Sequence, residues 1–342
     1  MVILHVANFF NLRFRSIHAL TNVSQRIQKG LEAHNHHVVT FSDKDVMRHC
    51  TVSGLKRIGR RRMEKRLLET ASMIEPDQVW FGMGDRIRPK VLIELRKRLP
   101  EVQLVLYNGD QRDKPFDHLL EKAPLLDWIF STSGGDNLHW YQKAGCPHSA
   151  FFPNMTDASL ERHHPAEEKW QSELLFTGGL HGVPEREALI RYLDAEAPIT
   201  LYRALGRPSV SGRDYFRAIS NARIGINISA YPHIDKYLSD RPMHYMGCGT
   251  MVLTRHVPWL ETLFRPGEEL ATFRSKEECL EKVRYYLAHD NERRLMAQMG
   301  QLAVRQRFNP KVVVGVMLEM IDGNTPPQLW VEMFHSGKDD VG

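Results

Sequence analysis

Two doubly wound, Rossmann-like α/β domains facing one another across a cleft are what this sequence predicts, on three observations. Short apolar runs alternate with amphipathic helical stretches along most of the chain, as parallel sheets covered on both faces require. A polar segment interrupts the alternation once, carrying His163, His164, Pro165 and a run of Glu and Lys, and the alternation then resumes. The chain has 342 residues, more than one core usually organises, whereas two domains of roughly 150 to 170 residues are ordinary. The predicted division is 1–155, a linker at 156–172, a second domain at 173–310, and a C-terminal helix and tail at 311–342 placed to return to the first domain.

The elements follow from periodicity. Residues 2–9 form an apolar run suited to a buried parallel strand. Ile17, Leu20, Val23, Ile27 and Leu31 recur at helical spacing, so 16–33 is read as a helix, and 37–41 as a second strand. That is a βαβ unit. A long basic helix at 55–74, a strand at 78–83, a helix at 89–98 and a strand at 102–107 extend it. After 117–123 come a strand at 128–131, a helix near 137–144 and a short run at 149–152. In the second half, strands are predicted at 174–176, 199–204, 224–228 and 250–254, with helices at 185–195, 212–222, from 241 to 246, and at 258–264. Residues 276–307 read as two helices joined near His289-Asp290-Asn291, and a last helix lies around 311–321.

Composition narrows the class. With 42% apolar and 25% charged residues, disorder, collagen and coiled coil are excluded. No apolar run approaches the 18 to 20 or so residues of a membrane span. The first ten residues carry no basic stretch and no small-residue cleavage site, so a cytoplasmic location is expected, with a peripheral position at the inner membrane left open. Cys50, Cys146, Cys248 and Cys279 lie far apart without a CxxC pair, which points to reduced thiols and away from a cysteine zinc site. With no HExxH among the scattered histidines, no metal site is expected.

The net charge of +5 is unevenly shared: residues 1–155 hold 23 Lys+Arg against 16 Asp+Glu, and the remainder 23 against 25. Much of the surplus is Lys56, Arg57, Arg60, Arg61, Arg62, Lys65 and Arg66. This stripe can meet nucleic acid, phospholipid headgroups or a phosphorylated glycan acceptor, or be only a solvated helix face.

In doubly wound sheets, ligands bind at the carboxyl ends of the strands, so the loops after each strand carry the functional reading. The loop after the first strand runs from Asn8 to Arg15 and matches neither GxGxxG nor GxxxxGK[ST]; Arg13 and Arg15 are available to a phosphate or acceptor there. Gly84-Asp85-Arg86 and Asn108-Gly109-Asp110-Gln111-Arg112-Asp113 follow the third and fourth strands. A carboxylate at such a place can take a proton from an attacking hydroxyl, with Asp110 preferred to Asp85. The alternative is a tight Asn-Gly-Asp turn in which Asp110 caps the next helix. In the second half, Gly178 and Gly179 would let free amides approach an anion, and Gly206 with Arg207 repeats the arrangement. The densest feature runs from Tyr237 to Gly249: Ser239 or Asp240 can cap a helix, Pro242 suits its first turn, and Arg241 stands at its start beside amides that favour a pyrophosphate.

Residues 239–249 resemble the Arg-x-Phe-Glu-Ala-x-Ala-x-Gly helix of GT-B glycosyltransferases, particularly the CgeB-like branch of the group 1 superfamily. Asp214-Tyr215-Phe216 through Ile228 is similar to that branch's preceding helix and strand. Phe264-Arg265-Pro266-Gly267-Glu268-Glu269 resembles its Phe-x-x-Gly-x-Glu turn, and 293–308 its closing helices. The resemblance covers most of 174–308 and is only architectural before that. It implies an enzyme that holds a nucleotide diphosphate sugar on the second domain and an acceptor on the first, without a metal or other cofactor, with Arg241 and Gly178-Gly179 at the diphosphate. One departure stands out: His244 occupies the place of the ribose-binding glutamate, and Lys236, beside Asp235, that of its upstream partner. The resemblance thus leaves donor identity and stereochemical outcome open. Two other functions fit the same residues: a DNA-directed sugar transferase using the basic stripe, and a catalytically inactive GT-B binding module.

Overall fold

The computed structural model describes residues 1–9, 22–51, 54–110, 112–180 and 182–335. The stretch with Arg13 and Arg15, the predicted first turn of the 16–33 helix, and Gln111 lie outside the described residues. The chain divides into two compact units: Val313 onward belongs with the first, and 153–312 with the second.

The first unit is built on a seven-stranded sheet. Its strands are β1 (Val2–Ala7), β2 (His37–Ser42), β3 (Gln78–Gly82), β4 (Gln103–Asn108), β5 (Trp128–Ser131), β6 (His148–Phe151) and β12 (Met333–His335), in the order β12-β6-β5-β4-β3-β1-β2. All pairings are parallel except that of β12, which joins antiparallel to β6 at the edge. Every residue of β3 is buried, as expected of a strand covered on both faces. The helices are α1 (Val23–Ala33), α2 (Asp43–His49), α3 (Lys56–Ile74), α4 (Pro89–Arg98), α5 (Asp117–Leu120) and α6 (Asp136–Lys143). Asn22 caps α1, its Oδ1 accepting from the Ser24 amide at 3.0 Å. Met63, Leu67 and Ala71, four residues apart, form the buried stripe of α3.

The second unit has a five-stranded parallel sheet in the order β11-β10-β9-β7-β8, from β7 (Ser172–Thr177), β8 (Ile199–Tyr202), β9 (Ala222–Asn227), β10 (Met251–Arg255) and β11 (Ala271–Phe273). Its helices are α7 (Pro184–Glu196), α8 (Arg213–Ser220), α9 (Arg241–Gly247), α10 (Lys276–Ala288) and α11 (Asp290–Arg307). The last helix, α12 (Pro310–Ile321), starts in this unit and ends in the first. Three elements have no counterpart in the periodicity: α2, β11 and β12 span seven, three and three residues. The predicted helix at 258–264 is a single 3₁₀ turn at Leu260–Thr262. Cys50, Cys146, Cys248 and Cys279 are all buried, and none is joined in a disulfide. None of the described helices is long and apolar enough to cross a membrane.

Each sheet has one point where the strand order reverses. In the first unit it lies between β1 and β3, and in the second between β7 and β9. Connections leave opposite faces there, which opens a crevice beyond the carboxyl ends of those two strands.

Candidate functional site

In the second unit, the reversal point is spanned by one side chain. Arg241 Nε donates to the Thr177 carbonyl at the end of β7, at 2.6 Å, and Nη1 donates to Asn227 Oδ1 at the end of β9, at 2.8 Å. The guanidinium also lies 4.9 Å over the Phe176 ring. Asn227 is held in turn: its amide donates to Thr254 Oγ1 at 2.9 Å, and its oxygen accepts from Ser239 Oγ at 3.0 Å. Gly178 has φ +153°, and a Cβ there would stand 2.7 Å from Arg241 Nη2. The guanidinium passes close by, and the backbone conformation at this φ is what favours glycine.

A second arginine meets the same loop. Arg186 of α7 donates through Nε to the Ile228 carbonyl at 3.0 Å and through Nη1 to the Gly179 carbonyl at 3.1 Å. Burial, and secondly the charge of Arg241, lower its pKa to about 10, so it remains a cation at neutral pH. Backbone carbonyls and one amide oxygen are the hydrogen-bond partners of both guanidinium groups, and among the described residues neither enters an ion pair. Two cations hydrogen-bonded only to neutral oxygens thus stand at the strand-reversal point, an arrangement that can receive an anion.

The other predicted donor residues are placed as follows. Gly179 lies beside Arg203, whose Nε comes within 3.9 Å of where a Cβ would stand. Gly206 and Arg207 are exposed on the next loop, where the Arg207 amide donates to the Ala204 carbonyl at 2.8 Å. It is Arg203, not Arg207, that reaches the glycine pair. Neither proposed cap serves α9. Asp240 already has helical dihedrals (φ −63°, ψ −21°) and makes no capping bond, while the Ser239 hydroxyl is directed to Asn227. The helix is instead secured by burial of 242–247 and ends at Gly249, with φ +84°. His244 points inward with 2% exposure: Nδ1 is 2.8 Å from the Tyr215 hydroxyl, and Nε2 is 3.7 Å from Glu161 Oε1.

In the first unit, β3 and β4 are neighbours with Gly82 opposite Tyr107, so the loops bearing Asp85 and Asp110 leave the same end of adjacent strands. Asn108 Oδ1 accepts from the Asp110 amide at 3.0 Å, the local turn that Asn favours. Asp110 therefore sits in a turn, as the alternative reading held, but the next helix starts at Asp117, so its exposed carboxylate caps nothing. Asp85 is differently held. Its Oδ1 accepts from Arg86 Nη1 at 2.8 Å, and that same Nη1 lies 3.5 Å from Asp43 Oδ2. Arg60 fixes the loop by donating to the carbonyls of Arg86 and Asp85, at 2.9 and 2.7 Å.

Asp43 and Arg186 were not singled out by the sequence. Asp43 follows β2 and is 1% exposed; burial raises its pKa to about 6, with Arg86 acting against the rise. Nearby, His5 Nε2 is 2.8 Å from the Tyr107 hydroxyl, and burial lowers the pKa of His5 to about 3 and raises that of Tyr107. A signal for Arg186 existed: it shares the spacing of the buried Leu189, Ile190 and Leu193, so a cation recurs on the apolar stripe of α7.

Residues 168–319 match the family model described as glycosyl transferase-like. No curated protein matches the sequence. Several solved structures share the architecture at low identity. HepE from Anabaena in complex with UDP-glucose is 12% identical, with a TM-score of 0.63 over 94% of this chain and 100% of that one. Sucrose-phosphate synthase from Thermosynechococcus elongatus is 14% identical, with a TM-score of 0.62 over 94% and 98%. A glycosyltransferase from Rickettsia africae is 10% identical, with a TM-score of 0.60 over 94% and 98%.

Proposed function

We propose that this chain, which has the GT-B fold and matches a glycosyl transferase-like family model over 168–319, moves a sugar from a nucleotide diphosphate donor to a hydroxyl acceptor. The observation that carries this reading is the pair Arg241 and Arg186 at the β7/β9 reversal point, two cations whose hydrogen bonds go only to neutral oxygens. The donor's diphosphate supplies the missing negative charge. As the acceptor oxygen bonds to the anomeric carbon, the bond from that carbon to the diphosphate oxygen breaks, and the electron pair leaves with the diphosphate. The two guanidinium groups, already fixed by their hydrogen bonds, favour that charge without a metal ion.

The proton of the acceptor hydroxyl goes to a carboxylate of the first unit. Asp110 is the better placed of the two candidates, being exposed and free of a cationic partner among the described residues, whereas Asp85 is engaged by Arg86. His244 serves as a positioning residue through Tyr215. That HepE was solved with UDP-glucose favours a uridine donor.

Calorimetric titration with UDP, GDP, ADP, CMP and dTDP tests the reading. One nucleoside diphosphate should bind well above the rest, and the binding should fall with Arg241→Ala. Binding of none would leave an inactive GT-B module. Turnover that is unchanged in a chelator-treated enzyme is the expected result for metal-independent transfer; loss restored by a divalent cation would assign the charge neutralisation to a metal.

A further inference from the structure

The outward face of α3 is one-sidedly basic. Lys56, Arg57, Arg61, Arg62, Lys65 and Arg66 are all exposed, and no exposed acid interrupts them before Glu69. Of the helix's other acid, Glu64, the carboxylate is buried and paired with Arg88, at 2.9 Å from Arg88 Nε. Lys65 is paired only loosely, 3.6 Å from Glu69. Among the described residues, Lys56, Arg57, Arg61, Arg62 and Arg66 form no ion pair. Arg60, the seventh cation of the stripe, is turned to the fold and holds the Asp85 loop, so it is excluded from this face.

Two further features distinguish this face from a merely solvated one. Leu55 and Ile58 are exposed at 55% and 36% amid the cations. Ile58 shares the outermost line of the helix with Arg61, Arg62 and Lys65, at helical spacing opposite the buried Met63, Leu67 and Ala71. Ile58 thus sets an apolar side chain within the basic line, next to the more exposed Leu55. Beside it, His49 and Cys50 at the end of α2 close a groove of about 290 Å³ with Arg62, Lys65, Arg66 and Glu69. That volume suits a phosphate-bearing headgroup.

We propose that this face docks on an anionic lipid surface, with the cations at the headgroups and Leu55 and Ile58 entering the interface. Charge and apolar burial together supply the two signals that stable peripheral attachment needs. Nucleic acid is the other large polyanion, but its backbone offers nothing to two exposed aliphatic side chains on the same helix. The inference stands apart from sugar transfer, since it concerns attachment alone and is read without turnover.

The test is co-sedimentation of the full chain with vesicles of phosphatidylcholine, with and without phosphatidylglycerol. Binding should require phosphatidylglycerol and weaken with added salt. The triple variant Arg61→Glu/Arg62→Glu/Lys65→Glu should lower the partition on the order of a hundredfold, about fivefold for each cation. Ile58→Ser should lower it several-fold and leave a remainder more sensitive to salt. All four side chains are exposed, so unchanged melting temperatures show that the fold persists. Equal binding of the triple variant, equal binding to both vesicle types, or preference for duplex DNA over the anionic vesicles would each overturn the proposal.

Discussion

Among the described residues, the strand ends of the two sheets carry different charged groups. At β7/β9, Arg241 and Arg186 hold positive charge that, among the described residues, is paired with no carboxylate. Around the carboxyl ends of β2 and β3, Asp43, Arg86 and Asp85 form a chain in which one cation lies between two acids. Next in the sheet, Asp110 presents an exposed carboxylate with no such cation among the described residues. A fold used twice thus places different charged groups at its strand ends, and the difference is what the proposed transfer uses: unpaired cations for a leaving diphosphate, an exposed carboxylate for the proton of a hydroxyl.

The sharpest way to break that contrast is to neutralise the acid. Asp110→Asn should reduce turnover by about 10³-fold, the middle of the range for a general base, while leaving nucleotide affinity unchanged. The same change at Asp85 should cost far less, because that carboxylate is already engaged by Arg86. Steady-state rates for both variants check this: equal losses would mean that the Arg86 pair does not separate the two acids, and full turnover in Asp110→Asn would assign the proton elsewhere. On the basic side, Arg241→Ala should lower turnover roughly 10²-fold, the scale for losing one preorganised charge stabiliser. A circular dichroism melt is needed beside it, since Arg241 also ties Thr177 to Asn227.

How much of this was legible depended on how far apart the partners lie in the chain. Alternation of apolar runs carried the sheets, because a strand buried on both faces needs the continuous pattern seen in Gln78–Gly82. Arg241 and Gly178 were visible as a helix start and a glycine pair. Their contact was not, since it joins residues 63 positions apart and depends on a strand order that periodicity does not contain. Asn227, at the end of a predicted strand, looked like any polar terminus until Arg241 and Ser239 met on its oxygen. His244 showed the converse: the resemblance set it in the place of a ribose-binding glutamate, and in the fold it is buried with Tyr215 and Glu161, from distant segments, beside its ring. Asp43 lay in a polar stretch too short for a helical period, and its burial is a property of the packed sheet.

Asp43 also gives the comparison a pH dependence. Its folded pKa of about 6 stands above the ordinary 3.8, so the folded state retains a proton that the unfolded chain releases. Its contribution is therefore most favourable below about 4 and is lost as pH rises to about 6. Asp43→Asn removes that loss, and relative to wild type it should gain stability across this window, by at most about 3 kcal/mol at neutral pH. Urea midpoints taken from pH 4 to 8 measure it. A difference between variant and wild type that stays flat over the range would show that the carboxyl is not held protonated by burial.

The smallest effect probes the basic side at one atom. In Gly178→Ala the new methyl would stand 2.7 Å from Arg241 Nη2, the mobile end of a long side chain, so the loop adjusts without unfolding. The backbone there, at φ +153°, adds strain for a residue with a Cβ, and stability should fall by about 1 kcal/mol. What changes is the aim of the guanidinium: displaced from its place, it should lose about one charged hydrogen bond to the diphosphate, close to tenfold in nucleotide affinity. Because Arg186 is anchored on the Gly179 and Ile228 carbonyls, its contribution should persist and keep the loss from growing larger. Titration of the preferred nucleoside diphosphate against both proteins decides the point. Wild-type affinity would mean that the diphosphate does not touch Arg241, and complete loss would mean that Arg186 does not hold it alone.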